Sequence, residues 1–160
     1  MKKRLLAGLF ALLLLTACAA PMPEPEWKVY FPTVSFTDGP ALASEPMETA
    51  QAPSREALIQ RLLAGPSSGE LYSPFPKGVS LRSWYESDGI LHISLSEQYG
   101  GLSGMALTLA DYSIALTLCQ IPGVEGVSIM VENDPMAFRY RQTLTPEDIL
   151  LTDLLPAEEE

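Results

Sequence analysis

The fold is decided by the stretch VSLRSWYESDGILHISLS at residues 79–96. Residues 79–86 and 90–96 mix apolar and polar residues, with strict alternation over 91–96, as in half-buried strands. The Ser-Asp-Gly sequence at 87–89 has the composition of a tight turn. The stretch therefore predicts a β-hairpin, around which the other elements are arranged.

The register of this hairpin depends on the length of its turn. A two-residue turn would place Arg82 opposite Leu95, beside the apolar face of the second strand. A three-residue loop places Leu81 opposite Leu95 and keeps one face mostly apolar, so this register is favoured. It also makes Trp84 and His92 neighbours on the outer face.

The elements on both sides of the hairpin follow from similar patterns. Alternation predicts strands at 27–36 and 127–131, and helical spacing with Gly-Pro or Pro-Gly stops predicts helices at 55–64 and 105–121. Residues 41–53 lack periodicity and are predicted to form a loop insertion outside the core. The order is then the split β-α-β-β-α-β order of ferredoxin-like domains, an α+β fold whose small sheet carries two helices on one face.

The N-terminus has the features of an export signal that ends in a lipidated cysteine. Lys2, Lys3 and Arg4 precede an apolar run at 5–15, which is shorter than the roughly 20 residues of a membrane-spanning helix. Small residues then lead to Cys18, an arrangement that resembles the bacterial lipobox. Lipid on Cys18 is therefore predicted to hold the chain on the extracytoplasmic face of the cell membrane.

These features divide the chain into four predicted regions. Residues 1–17 are a signal peptide, and 18–26 are the lipidated cysteine with a flexible tether rich in Pro and Glu. Residues 27–142 form the domain, and 143–160 are a C-terminal segment with an acidic tail.

The charge of the mature chain excludes one class of partner. Residues 1–17 contain three of the ten Lys and Arg and none of the 20 Asp and Glu, so their removal leaves a formal charge of −13. An acidic body argues against nucleic acid and against polybasic attraction to anionic lipid. The lipid alone is expected to bind the membrane.

Residues suited to catalysis or metal binding are few. His92 is the only histidine, and Cys119 lies among apolar residues of the predicted long helix, so neither a catalytic triad nor the usual zinc ligand sets are predicted. Glu86, Asp88 and Glu97 come nearest to the paired carboxylates of a glycoside hydrolase. The turn explains Asp88, and solvation explains the other two. No catalytic residue, metal site or cofactor is therefore predicted.

The predicted long helix has apolar residues on two nearly opposite sides, whereas a helix that lies on a sheet and faces water needs a single apolar stripe. The first stripe comprises Met105, Leu109, Tyr112, Leu116 and Cys119. The second is covered either by other parts of this chain or by a partner. The possible partner surface comprises Leu107, Ile114, Leu118, Ile121 and, on the hairpin, Trp84.

Several segments together resemble the GerMN domain of sporulation and spore-germination lipoproteins. They are VYFP at 29–32, LLAGP at 62–66, SPFPKG at 73–78, ISLSE at 93–97, YSIALTL at 112–118 and IPGVEGVSI at 121–129. Their order and spacing make the resemblance specific. It implies a non-enzymatic, ring-building-like module with a single domain, acting in sporulation, germination or a related envelope complex.

The favoured function is therefore a binding or assembly module. Its partners are the membrane, through Cys18, and envelope or sporulation proteins, with self-association into a ring as one arrangement that the resemblance implies. Two alternatives remain open: a cell-wall hydrolase, for which the catalytic constellation is missing, and the substrate-binding lipoprotein of a transporter, for which the domain is small.

Overall fold

The computed structural model describes residues 27–35, 41–49, 51–133 and 142–149. The strands are β1 (Lys28–Pro32), β2 (Leu42–Pro46), β3 (Leu81–Ser87), β4 (Ile90–Leu95), β5 (Gly126–Val131) and β6 (Thr143–Leu144). The helices are α1 (Arg55–Leu63) and α2 (Gly104–Leu118), with short 3-10 helices at Glu97–Gly101 and Pro146–Asp148. The predicted α+β class is confirmed. The predicted signal peptide and tether lie outside the described residues.

The larger sheet has the strand order β3-β4-β5-β6. β4 is antiparallel to β3 and parallel to β5, which places the buried side chains of β4 and β5 on one face. This face contributes Leu91, Ile93, Leu95, Val127 and Ile129 to the main core, where both helices pack. The predicted small sheet with its two helices on one face therefore holds for this part of the molecule.

The prediction that residues 41–53 form a loop outside the core was wrong for β2. β1 pairs antiparallel with β2 in a separate two-stranded sheet. Leu42 of β2 is buried in a second apolar cluster with Leu109 of α2. The composition of β2 has no strand signal, and its conformation is set by its long-range pairing with β1.

The observed hairpin register combines the two alternatives that the sequence allowed. A two-residue turn has Asp88 and Gly89 at positive φ, 53° and 76°, so the favoured three-residue loop was wrong. A β-bulge between Leu81 and Ser83 then returns Leu81 to its predicted place opposite Leu95. The bulge removes the objection to the short turn, because Arg82 no longer faces the apolar side chain of Leu95.

Helix α2 is covered on both of its apolar sides within the chain. It packs against β5 of the larger sheet and against β1 of the smaller one. Ile114, Leu118 and Ile121 are buried in the main core, so the prediction that they line a partner surface was wrong. Leu107 is only partly buried and packs against the same core. The reason is that the β1–β2 hairpin covers the other apolar side of α2, and the sequence did not reveal this hairpin.

A partly buried ion pair between Arg61 and Glu45 joins the smaller sheet to α1 and to the loop that follows it. Arg61 of α1 donates to the Glu45 carboxylate of β2, and the backbone N–H groups of Ser67 and Ser68 donate to the same carboxylate at 3.0 and 3.1 Å. Burial raises the pKa of Glu45, but these hydrogen bonds and the Arg61 charge outweigh it, so the net pKa is lowered. The fully bonded carboxylate therefore holds β2 in place.

Candidate functional site

The β3 strand is the most exposed regular element of the larger sheet. It lies at the sheet's edge, and every residue from Arg82 to Ser87 is exposed. Trp84 and Tyr85 keep 40% and 52% of their surface accessible, although aromatic residues are usually placed in strands that pack. An edge strand with large apolar side chains offers both its backbone and its side chains to a partner.

The two aromatic side chains lie on opposite faces of the sheet. Tyr85 is opposite His92 in the hairpin, and the two rings stack at 4.4 Å between centroids with 8° between their planes. Trp84 is opposite Ile93, on the face that carries the core. The predicted contact between Trp84 and His92 was therefore wrong, because the two-residue turn shifts the register by one residue.

Ion pairs flank the aromatic residues of β3. Arg82 contacts the Glu132 carboxylate at 2.7 Å, and Arg55 at the start of α1 contacts Glu86 at 2.5 Å. Both pairs are partly exposed, so each contributes little to stability. They fix the orientation of one positive and one negative side chain on either side of Trp84.

The carboxylates considered for a hydrolase serve other purposes. Glu86 is held by Arg55, Asp88 occupies the turn, and Glu97 is exposed at the start of a 3-10 helix. Among the residues that the structure describes, no group of three or more His, Cys, Asp and Glu residues could hold a metal ion. The arrangement offers contact surfaces and no assembled proton-transfer pair.

The thiol of Cys119 is in a poor environment for a nucleophile. Burial first, and the negative charge of Glu147 second, raise the pKa of Cys119 to about 11. The thiol is therefore protonated at neutral pH, whereas the thiolate is the reactive form. Its position at the end of α2, against the main core, agrees with the predicted structural cysteine.

Asp111 is the one charged residue of α2, and its carboxylate is largely buried. Burial raises the pKa of Asp111 to about 6, although a hydrogen bond from the Tyr99 hydroxyl at 2.5 Å favours the charged form. The folded state therefore binds a proton between about pH 4 and 6 that the unfolded chain does not, so this group's contribution to stability decreases as the pH rises through 6.

We expect Asp111→Asn to stabilise the fold at pH 7.5 by roughly 2 kcal/mol and to change it little at pH 4. Asparagine can still accept the Tyr99 hydrogen bond but has no buried charge. Urea unfolding at the two pH values measures the difference, with Glu97→Gln at an exposed position as the control. An equal effect of Asp111→Asn at both pH values would contradict the charge penalty.

Of the predicted site residues that the structure describes, Trp84 alone is an exposed large hydrophobic residue. Tyr85 was not predicted, although its place beside Trp84 in an alternating strand implies that the two side chains point to opposite faces. Cys18 lies outside the described residues. No helix in the described ranges is both long and apolar enough to span a membrane.

Comparison with known proteins gives one family match and several structural ones. The family model described as Germane, sporulation and spore germination, matches residues 28–137. The tandem GerMN domains of the sporulation protein GerM from Bacillus subtilis superpose with a TM-score of 0.57 and 20% identity, over 79% of this chain and 47% of that one. The chain thus spans about half the length of that protein's tandem domains.

The first GerMN domain of the same protein superposes with a TM-score of 0.54 and 14% identity, over 69% of this chain and 84% of that one. At these identities the likeness shows the fold. No curated protein matches the chain. The family match and the two superpositions confirm the resemblance that the sequence motifs indicated.

Proposed function

The chain belongs to the Germane family of sporulation and spore germination, and from this membership we propose that it is a lipid-anchored module that binds other envelope proteins. It acts on the extracytoplasmic face of the cell membrane, in sporulation, spore germination or a related envelope complex. It performs this role by contact and without catalysis.

The exposed aromatic edge of β3 carries the proposal. Among the described residues, the main core includes neither Trp84 nor Tyr85, so core packing does not account for their presence. Aromatic residues are enriched in protein interfaces, where truncating them has the largest effects. Two of them on adjacent positions of an ordered edge strand favour a protein partner over a small ligand.

The environment of the remaining reactive groups supports contact over catalysis. His92 is stacked on Tyr85, and the thiol of Cys119 is kept protonated by burial. A general base needs a substrate-facing position with a partner that orients it. The only histidine of the chain is instead packed against the Tyr85 ring, on the face of the sheet opposite to Trp84.

Charge and tether length agree with action at a membrane surface. A fully extended chain of nine residues, the length of 18–26, spans about 30 Å, which is long enough to separate the domain from the lipid. The mature chain's charge of −13 disfavours its adsorption to anionic headgroups. The edge strand is thereby kept available for proteins in the same layer of the envelope.

We expect the double variant Trp84→Ala/Tyr85→Ala to fold but to lower partner affinity by roughly tenfold or more, because interface aromatic residues dominate binding energy. The readout is the yield of heat-resistant, germination-competent spores when the variant replaces the natural chain. Met105→Ala, an exposed apolar residue on α2, is the matched control.

His92→Ala separates contact from catalysis in the same assay. It leaves the Trp84 and Tyr85 side chains in place, so a contact module should keep most of its activity. A folded double variant with normal spore yield would contradict the proposal. So would a peptidoglycan-hydrolysing activity of the purified chain that His92→Ala removes.

A further inference from the structure

The backbone of β3 has hydrogen-bonding groups that point away from the sheet. The two-residue turn makes Ser87 and Ile90 the pair that closes the hairpin, and antiparallel pairs alternate between bonded and non-bonded positions. Tyr85 is then bonded to β4, whereas Trp84 and Glu86 direct their N–H and C=O groups outward. Among the described residues no strand pairs with this edge.

We propose that β3 pairs antiparallel with β3 of a second copy of this chain, with the two Trp84 residues directly opposite each other. This inference rests on the proposed function and identifies a second copy of the chain as one partner of the β3 edge. In this register Trp84 exchanges both backbone hydrogen bonds with its symmetry mate, which requires the outward orientation that the turn imposes.

The charges of β3 select this register. Arg82 and Glu86 lie at equal distances in sequence from Trp84, so antiparallel self-pairing about Trp84 brings Arg82 of each copy, at the β-bulge, close to Glu86 of the other. Opposite charges directly across two strands stabilise the pair, whereas like charges destabilise it. The existing partners Glu132 and Arg55 extend each contact into a row of alternating charges.

Edge charges and bulges ordinarily protect a sheet against pairing with other strands. Here the charges have opposite signs, so they disfavour a parallel copy, in which Arg82 would face Arg82, and favour the antiparallel one. The pair is a closed two-fold arrangement that does not continue into a fibre. Anchoring both copies on one membrane raises their effective concentration, which compensates for the short length of the strand.

The test is disulfide cross-linking of the full-length chain in membranes. Trp84→Cys and Ser87→Cys are made in a Cys119→Ala background and oxidised mildly. In the proposed register the two Cα atoms at position 84 are about 5.5 Å apart, within disulfide range, whereas the two at position 87 are about 20 Å apart. We expect the Trp84→Cys dimer to exceed the Ser87→Cys dimer by about tenfold.

A second cross-link keeps the Trp84 ring in place. Ser83 of one copy is predicted to lie opposite Tyr85 of the other, so membranes containing both Ser83→Cys and Tyr85→Cys copies should cross-link more than either variant alone. Equal cross-linking of Trp84→Cys and Ser87→Cys, or no gain in the mixture, would overturn self-pairing. If Trp84→Ala/Tyr85→Ala still lowers spore yield in that case, the self-pairing fails and the proposed function stands.

Discussion

Ile114→Asp is expected to unfold the domain. Ile114 is 1% exposed and lies in the main core, where α2 packs on the larger sheet. The variant removes an apolar side chain worth about 1.5–3 kcal/mol and buries an unpaired carboxylate at a cost of several kcal/mol more. Because domains are stable by only about 5–15 kcal/mol, cooperative melting measured by circular dichroism should be lost.

Met105→Asp is the matched control for this variant. Met105 is on the same helix but 66% exposed, so the same chemical change should leave the melting temperature within a few degrees of the natural chain's. Leu118→Asp should behave like Ile114→Asp, since Leu118 is also fully buried. If Ile114→Asp melts cooperatively at the temperature of the natural chain, this side of α2 is exposed and is again a candidate partner surface.

The elements that the sequence predicted well depend on local signals. The predicted start of α1 after Ser54 is confirmed, and the Ser54 hydroxyl accepts the N–H of Ala57 at 3.1 Å. In β4 the buried and partly exposed residues alternate as predicted for a strand with one buried face, whereas β5 is buried on both faces over residues 126–129. These predictions succeed because the residues that form the sequence pattern are also the residues whose contacts fix the element.

The elements that were missed depend on contacts between distant residues. β2 is a strand because it pairs with β1, and Leu42 is buried because it packs against Leu109 of α2. The backbone N–H of Tyr30 in β1 donates to the Thr117 hydroxyl of α2 at 3.0 Å, a contact across the chain that no local pattern encodes. The sequence therefore left open whether this chain or a partner covers the second apolar side of α2, and the structure shows that this chain does.

The candidate site was predicted in part for the same reason. Trp84 was identified because the hairpin is a local structure, but its neighbours depend on a register that differs by one residue between a two- and a three-residue turn. The bulge at Arg82 reconciles a short turn with the apolar pairing of Leu81 and Leu95. A register is predicted from the sequence on the assumption that the two strands pair without a bulge, so a two-residue turn combined with a bulge was not considered.

The second large effect is expected at Cys18. Cys18→Ala should remove the site of lipidation and move the chain from the membrane fraction to the soluble fraction or the growth medium. The physical reason is that acyl chains contribute about 0.8 kcal/mol per buried methylene group, whereas the acidic body gives no electrostatic attraction to anionic lipid. Cell fractionation followed by immunoblotting measures the shift.

A high-salt wash is the control for this experiment. Salt screens electrostatic adsorption but not insertion of acyl chains, so the natural chain should stay with the membrane. Retention of the Cys18→Ala chain after the same wash would show that something other than this lipid holds it.

Action at the membrane surface is the central claim, and re-anchoring tests it most directly. In one variant residues 1–26 are replaced by a single membrane-spanning helix and a tether as long as residues 18–26, and its yield of heat-resistant spores is compared with those of the released Cys18→Ala chain and the natural chain. If the domain works by contact at the membrane surface, the released chain should lose activity and the re-anchored chain should regain most of it. A re-anchored, folded chain as inactive as the released one, or a released chain as active as the natural one, would contradict the account.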